Sequence, residues 1–368
     1  MDTEENAYPA DHGTLEIDHM NASKDLQQTT TNNSIVDVAV MAKVSIATVS
    51  RVLSGNRNKH DDIDKRVRQA ADKLHYSVNP AAKALRSKVS GFLGVVAPKP
   101  IDFSASQLLS ELEPAAKKMG KDVILTLATD QKELDDKAKS LIQRDIDGLI
   151  AIPPAGCQLS LPADEPAMPD IPAIQLLGHN APSHVSWIGL DITAAMHEAV
   201  QQLADVNATS IAFLSRSLDS GAVSDALVEF QASDQITGLI REPGWTTFGP
   251  CTINRGHDDT LRLFSGKEKR PNAIICGDDQ IALGALDALK QLHINVPDEV
   301  TVISFGDSPL ATMTTPTLTS IRPPYRTMVD EALRLLTMNE KGTHHLHPHT
   351  TFPPEVISHE STPKLMRP

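Results

Sequence analysis

The sequence predicts a small all-α domain followed by a larger α/β body of two lobes, each built on a mainly parallel sheet. The chain has 368 residues, which is enough for two or three domains with sizeable cores. Apolar residues between positions 34 and 76 recur at spacings of three and four, as in short helices. After Gly91 short apolar runs alternate with amphipathic stretches, and this alternation occurs in two series that divide near Asn207.

Charge is distributed unevenly along the chain, whose formal net charge is −13. Residues 1–33 form an acidic, polar tail that we expect to be disordered. Residues 34–90 carry eleven Lys and Arg against five acidic residues and are basic, whereas the remainder is acidic. This asymmetry indicates that the basic segment contacts a polyanion, although a solvated basic helix face explains the charge equally well by itself.

Several classes of protein are excluded by composition. No apolar run approaches the roughly 20 residues that cross a bilayer, and the N-terminus lacks a signal-peptide pattern, so we expect a cytoplasmic protein without a membrane partner. Cys157, Cys251 and Cys276 are odd in number and widely spaced. They fit reduced thiols rather than a disulfide framework or a metal site, and no cofactor is implied.

Residues 34–76 are predicted to form three helices in a helix-turn-helix arrangement. Ser34 can cap the first helix, Ser45 the second, and the third extends from about Asp61 to His75. The second helix, from Ile46 to Ser54, has an apolar stripe on one side and short hydroxyls with one guanidinium, that of Arg51, on the other. Such a face can approach phosphates closely and contact a guanine edge.

A series of motifs runs through this segment and the residues that follow it: Ile35-x-Asp37-Val38-Ala39, Val44-Ser45-x-Ala47-Thr48-Val49-Ser50-Arg51-Val52-Leu53-x-Gly55, and Leu74-x-Tyr76-x-x-Asn79 with Ala82 and Leu85-Arg86. With these motifs the segment resembles the DNA-binding headpiece of the LacI/GalR transcriptional repressors. The resemblance implies a DNA-binding domain over residues 34–78. Within it, Ile46, Ala47 and Arg51 would contact bases, Thr48 and Ser50 would contact phosphates, and Ser45 would also lie at the DNA. One departure is Lys43, where the family has Gly; a positive φ there would cost about 1 kcal/mol.

Residues 79–90 are predicted to be a hinge helix or linker. An Ala-rich helix this short is unstable in isolation and needs a partner. The resemblance implies that this segment pairs with its symmetry mate on DNA, that Asn79 and Ala82 lie at the DNA, and that Leu85 inserts between base pairs in the minor groove. The alternative is an ordinary linker whose leucine packs on the body.

The resemblance continues more weakly through residues 91–368, in motifs such as Asp279-Gln280-x-Ala282-Leu283-Gly284-Ala285-Leu286. It implies the periplasmic-binding-protein-like (type I) pair of lobes, which carries effector binding and dimerisation. Lobe 1 is then expected at about 91–207 and 322–342, and lobe 2 at about 208–321 and 343–368. The chain should cross between the lobes near Asn207, Ile321 and Gly342.

Ligands of such lobes bind outside the carboxyl ends of the strands. Asp279 is the strongest candidate to bind ligand hydroxyls, with capping of the next helix as its alternative role. Trp245 could stack on a ligand ring or be an ordinary core residue. Asp102 and Ser104 lie in the first loop, where Ser104 and Ala105 replace the family's usual aromatics. The usual second-lobe arginine has no clear counterpart near Asp219 to Asp225, and Gly306 replaces an acid, so the effector and its binding stay open.

The sequence therefore predicts a repressor of carbohydrate or nucleoside utilisation genes that binds a pseudo-palindromic operator in double-stranded DNA as a homodimer under control of a small-molecule effector. No catalytic motif is present, and the His344-His345-x-His347-x-His349 run is better explained as a solvated connection than as a metal site. Two alternatives remain: a cytoplasmic sugar-binding protein, and a constitutive DNA-binding regulator with a vestigial cleft.

Overall fold

The computed structural model describes most of the chain and divides it into two compact units, Met1–Ala82 and Lys83–Pro368. The described residues are 34–53, 61–76, 89–161, 171–178, 182, 185–217, 225–232, 238–266, 269–306, 308–339 and 347–363. The predictions for the acidic tail, for Gly55 and for the hinge residues Asn79, Ala82 and Leu85 lie outside these ranges.

Three helices form the described part of the first unit: α1 (Ile35–Ala42), α2 (Ile46–Leu53) and α3 (Asp62–Lys73). Ser34 and Asp37 cap α1 reciprocally, and Asp61 caps α3. Lys43, at the turn between α1 and α2, has φ 54° and ψ 48°, so the left-handed conformation considered from the sequence is present without glycine. The helices share one core, which contains Val38, Ala39, Ala42, Val49, Val52, Val67, Ala70 and Ala71.

The second unit contains two six-stranded sheets, one in each lobe. The lobe 1 sheet has the order β11-β5-β4-β3-β1-β2, and the lobe 2 sheet has the order β12-β10-β9-β8-β6-β7. Among the strands of the described residues, all pairings are parallel except that of β12 with β10. The strands are β1 (Phe92–Pro98), β2 (Asp122–Ala128), β3 (Gly148–Ala151), β4 (Ala173–Leu176), β5 (Ser186–Leu190), β6 (Ile211–Leu214), β7 (Thr246–Thr247), β8 (Ala273–Cys276), β9 (Thr301–Phe305), β10 (Thr319–Arg322), β11 (His349–Phe352) and β12 (Glu355–Ile357).

Helices cover both faces of each sheet, as expected where parallel strands are buried on both sides. They are α4 (Phe103–Lys118), α5 (Gln131–Ile142), α6 (Ile192–Asp205), α7 (Ile253–Ser265), α8 (Asp279–Gln291) and α9 (Tyr325–Asn339), with short 3₁₀ turns at Pro243–Trp245 and Pro309–Thr312 and a further helical stretch at 225–232. Within the described residues, no helix has the length and apolarity to cross a membrane.

Two of the three predicted crossings between lobes are placed differently. The chain leaves lobe 1 directly after β5, because the apolar face of α6 packs with β6 in the lobe 2 core, so the crossing lies at 190–192 rather than near Asn207. The last crossing lies at 352–355 rather than near Gly342, because β11 still pairs with β5 of lobe 1. The middle crossing, between β10 and α9, follows Ile321 closely, as predicted.

Asp147 fixes the start of β1, where the chain enters lobe 1. Its carboxylate accepts hydrogen bonds from the backbone N–H of Ser90 (2.6 Å) and of Gly91 (2.8 Å), and from the Ser90 hydroxyl (2.9 Å). The Lys121 ammonium donates a fourth at 3.0 Å, and the two side chains are only 7% and 9% exposed. Burial opposes the charge on Asp147, but these four donors outweigh it and lower the pKa of the carboxyl.

Candidate DNA-binding surface and effector cleft

The exposed face of α2 is the candidate DNA-binding surface in the first unit. Ser45 caps the helix as predicted, because the Thr48 N–H donates to its hydroxyl at 3.2 Å and the two hydroxyl oxygens are 2.9 Å apart. Val49 and Val52 are buried against α1 and α3. This packing leaves the opposite side of the helix facing solvent.

The residues predicted to contact DNA lie on that side. Ile46, Ala47 and Arg51 are exposed, and Thr48 and Ser50 are half-buried. The side chain of Ile46 is 39% exposed, which is high for a large apolar residue. The structure thus presents two apolar side chains, two hydroxyls and one guanidinium together; their individual DNA contacts stay predictions.

In the second unit, Arg216 and Asp278 lie side by side at the carboxyl edge of the lobe 2 sheet. Arg216 is the second residue after β6 and Asp278 the second after β8, and these neighbouring strands are in register at Leu214 and Cys276. Gly277 makes this arrangement possible, because a Cβ there would lie 3.1 Å from the Arg216 backbone nitrogen and 3.2 Å from its Cγ. The arginine therefore lies directly against the glycine that precedes the aspartate.

Asp102 brings a charge from the other lobe to the same cleft. It follows β1 at the carboxyl edge of the lobe 1 sheet and caps α4 by accepting from the Ala105 N–H at 2.8 Å. Burial opposes the charge on Arg216, but its interactions with Cys251, Asp278 and Asp102 outweigh this and raise the pKa of the guanidinium. Arg216 thus interacts electrostatically with one aspartate from each lobe.

For the other two titratable groups of the cleft, Asp278 and Cys251, the effect of burial on the pKa outweighs that of neighbouring charges and hydrogen bonds. It raises the pKa of the Asp278 carboxyl even though the backbone of Gln280 and the charge of Arg216 favour ionisation. Burial also raises the pKa of the Cys251 thiol, which therefore stays protonated at neutral pH. The charges that act near Arg216 are accordingly those of the aspartates.

A largely buried arginine, Arg255, fixes the backbone that precedes Arg216. Its guanidinium donates to the Ser215 carbonyl at 2.5 Å, to the Thr247 hydroxyl at 2.8 Å and to Asp259 at 2.9 Å. Ser215 immediately precedes Arg216, so this network fixes the end of β6 relative to β7 and α7. Arg255 is a positioning residue rather than a ligand contact in this geometry.

Asp279 is buried beneath the site, with 4% of its surface exposed. The Ser304 hydroxyl donates to one carboxylate oxygen and the Ser308 N–H to the other at 2.5 Å. Gly306 allows this, since its φ is 152° and a Cβ there would lie 2.7 Å from the carboxylate. The predicted alternative role of Asp279 as helix cap is wrong: Asp278 caps α8 by accepting from the Gln280 N–H, because the helix begins one residue earlier than that role requires.

The remaining predicted effector residues, Trp245 and Ser104, are buried and half-buried, and their contacts with an effector stay predictions. Trp245 is 8% exposed and lies in the 3₁₀ turn before β7. Ser104 is half-buried and accepts a hydrogen bond of 3.1 Å from the Tyr325 hydroxyl of α9. Sequence reasoning missed Arg216 because it sought the arginine near Asp219 to Asp225; the available signal was a charged residue two positions after a four-residue apolar strand.

Comparisons with known proteins agree with this architecture. Residues 34–79 match the model of the bacterial regulatory proteins of the lacI family, and residues 200–362 match a periplasmic binding protein-like domain. Catabolite control protein A of Priestia megaterium is 28% identical over 308 residues, covering 83% of this chain and 92% of that protein. The protein of the same name from Staphylococcus aureus is 27% identical over 314 residues, covering 84% and 93%.

Solved structures show the same fold. The lac repressor dimer bound to operator and the anti-inducer ONPF superposes with a TM-score of 0.74 at 21% identity, covering 90% of this chain and 99% of that one. The complex of the transcriptional regulator CelR with cellobiose gives 0.62 at 21% identity, covering 89% and 99%. With a helix-turn-helix unit and a two-lobed body both matched, the chain carries the DNA-binding domain of the lacI family of bacterial regulatory proteins followed by a periplasmic binding protein-like domain, the two domains of a DNA-binding transcriptional regulator.

Proposed function

We propose that the protein is a homodimeric repressor whose affinity for operator DNA is set by a neutral, polyhydroxylated effector bound between the lobes. The observation that carries this proposal is the arrangement of Arg216 and Asp278 of lobe 2 opposite Asp102 of lobe 1. A ligand that touches both sides of the cleft favours one angle between the lobes and so couples binding to conformation.

The charges in the cleft indicate the class of effector. A guanidinium donates hydrogen bonds and carboxylates accept them, so the three side chains suit vicinal hydroxyls, which do both. Two carboxylates against one guanidinium leave a net negative charge, which disfavours phosphorylated or carboxylated ligands. We therefore favour a neutral sugar or nucleoside over a sugar phosphate.

Related structures support this class and the dimeric state. Cellobiose is bound to CelR, and ONPG is bound to the lac repressor in its repressed state. The lac repressor structure that contains operator DNA is a dimer. A dimer presents two recognition helices, so the operator is expected to be pseudo-palindromic.

A second candidate is a constitutive regulator with a vestigial cleft. It is favoured by Asp279, both of whose carboxylate oxygens already accept hydrogen bonds from the protein. In that case Arg216 and Asp278 would serve the structure alone.

Isothermal titration of the full chain with cellobiose, glucose, adenosine and glucose 6-phosphate distinguishes the two candidates. We expect saturable binding of at least one neutral ligand, weaker binding of its phosphorylated form, and a shift in operator affinity on saturation. Arg216→Gln should weaken binding about thirtyfold, whereas Arg326→Gln, which changes an exposed arginine on α9, should leave it unchanged. Absence of binding to a wider panel of neutral sugars and nucleosides would favour the vestigial cleft.

A further inference from the structure

We propose that the protein recognises thymine in its operator through hydrocarbon contacts of Ile46 and Ala47 with the C5-methyl group, in addition to the guanine contact predicted for Arg51. This inference rests on the DNA-binding role of the first unit and is independent of the effector. It predicts which bases each operator half-site presents to the exposed face of α2.

The position of these residues follows from the packing of α2. Val49 and Val52 bind the helix to the core of the first unit, so its first turn is open to solvent. In a helix-turn-helix unit the N-terminal residues of the second helix contact base edges in the major groove. Ile46 and Ala47 are the first two residues of that helix, and both are exposed.

The chemistry of these side chains restricts what they can recognise. Neither has a hydrogen-bond donor or acceptor, so neither can distinguish bases by their polar edges. In the major groove each base pair has a distinct pattern of donors and acceptors, and thymine alone among the unmodified bases adds a methyl group. The exposed hydrocarbon of Ile46 gains free energy by leaving water, and the thymine methyl group is the complementary apolar surface.

The spacing along the helix predicts where thymine lies relative to guanine. Ala47 and Arg51 are four residues apart, so they lie on the same side of α2, about 6 Å apart along its axis. This distance corresponds to about two base-pair steps of B-DNA. Each half-site should therefore contain a thymine about two steps from a guanine contacted by Arg51.

The experiment begins with selection of binding sites by the full-length protein from random duplexes, followed by fluorescence anisotropy on the selected site. Thymines at the conserved positions are then replaced by deoxyuridine, which lacks only the methyl group. Burial of one methyl group corresponds to about a fourfold change in affinity, and replacement in both half-sites to about fifteenfold. Deoxyuridine outside the half-sites serves as the DNA control.

Variants assign the effect to particular side chains. Ile46→Ala should weaken binding to the thymine duplex and reduce the ratio of affinities for the thymine and deoxyuridine duplexes. Ile253→Ala, the same truncation at an exposed position of α7 in the second unit, should leave that ratio unchanged. Arg51→Ala should weaken both duplexes equally and also leave it unchanged. A further pair of duplexes has cytosine or 5-methylcytosine in place of the contacted thymine. The 5-methylcytosine duplex should bind more tightly than the cytosine duplex, because it restores the methyl group without the O4 carbonyl of thymine.

Equal affinity of the parent protein for thymine and deoxyuridine duplexes would overturn this inference while leaving the regulator assignment intact. An unchanged ratio in Ile46→Ala would do the same, because the methyl group would then contact another side chain. Failure to select any duplex sequence would overturn both the inference and the proposed control of an operator.

Discussion

Two charge clusters of the second unit, one buried and one open to solvent, differ in how completely the protein satisfies them. At the start of β1 in lobe 1, Asp147 receives four hydrogen bonds, including one from Lys121. At the carboxyl edge of lobe 2, Arg216 and Asp278 lie close together, but no ion pair within 4.0 Å joins them among the described residues. In the first cluster the protein's own donors satisfy the carboxylate, whereas the second cluster keeps hydrogen-bonding capacity for a bound ligand.

The opposite pKa changes of the two aspartates express this difference. Burial raises the pKa of both carboxyls, but at Asp147 the four donors reverse the effect, whereas at Asp278 burial prevails. A satisfied charge stabilises the fold, and an incompletely satisfied one costs folding free energy that ligand binding can recover. Substitutions in the two clusters should therefore change stability in opposite directions.

The largest expected effect is that of Asp147→Asn. The substitution breaks the buried pair of Asp147 with Lys121 and turns an amide N–H donor toward groups that donate to the carboxylate, which should lower the free energy of unfolding by about 3–5 kcal/mol. Urea denaturation followed by circular dichroism measures this. Asp122→Asn is the matched control, since its pair with Lys117 is exposed, and a change below about 1 kcal/mol is expected.

The pH dependence of the same pair provides an independent check. The pKa of Asp147 is lowered in the folded state, so its stabilising contribution is present above the unfolded aspartate pKa and is lost as the pH falls through the folded pKa. The difference in stability between the parent protein and Asp147→Asn should therefore shrink below about pH 4. If the difference in stability between the two proteins stays constant down to pH 3, the ion pair does not stabilise the start of β1.

Arg216→Gln should have an intermediate effect, and on binding rather than on stability. Loss of a charged hydrogen-bond donor to a ligand hydroxyl costs about 2 kcal/mol, or about thirtyfold in effector affinity. The free energy of unfolding should change little, because no ion pair is broken within the described residues. Titration calorimetry and thermal unfolding measure the two quantities; a large loss of stability with unchanged affinity would reverse the comparison.

Asp278→Asn should have the smallest of the three main effects, a change in stability opposite in sign to that of Asp147→Asn. The folded-state pKa of Asp278 is raised, so ionisation at neutral pH destabilises the fold, while asparagine can still cap α8. We expect a gain on the order of 0.5 kcal/mol at pH 7 that disappears below the unfolded aspartate pKa. Thermal unfolding at pH 7 and pH 3.5 measures it; destabilisation at pH 7 would show that the charge belongs to the structure.

The sequence predicted the DNA-binding unit more fully than the cleft, for a physical reason. Caps and helical periodicity are local, and Ser34, Ser45 and Asp61 begin the helices where expected. Central strands such as Ile211–Leu214 and Ala273–Cys276 were also located, because buried parallel strands are continuous apolar runs.

Features that depend on distant pairing were missed or misplaced. The strand His349–Phe352 is polar and lies at an edge of its sheet, so its sequence resembles a loop, and the last crossing was consequently placed too early. Arg216 and Asp278 are 62 positions apart, and only the register of β6 with β8 brings them together. No local pattern distinguishes the satisfied Asp279 from its neighbour Asp278.

The positions of the three crossings between the lobes determine how far each strand moves when one lobe rotates relative to the other. Two of them follow β5 and β11, which are adjacent at one edge of the lobe 1 sheet, and the third follows β10 of lobe 2. The strand β1 lies three strands away from β5, about 14 Å at the usual spacing. A rotation of about 10° around the connected edge would therefore displace β1 by about 2.5 Å. A small change in the angle at the pivot becomes a measurable movement at the strand through which residues 1–91 join the body.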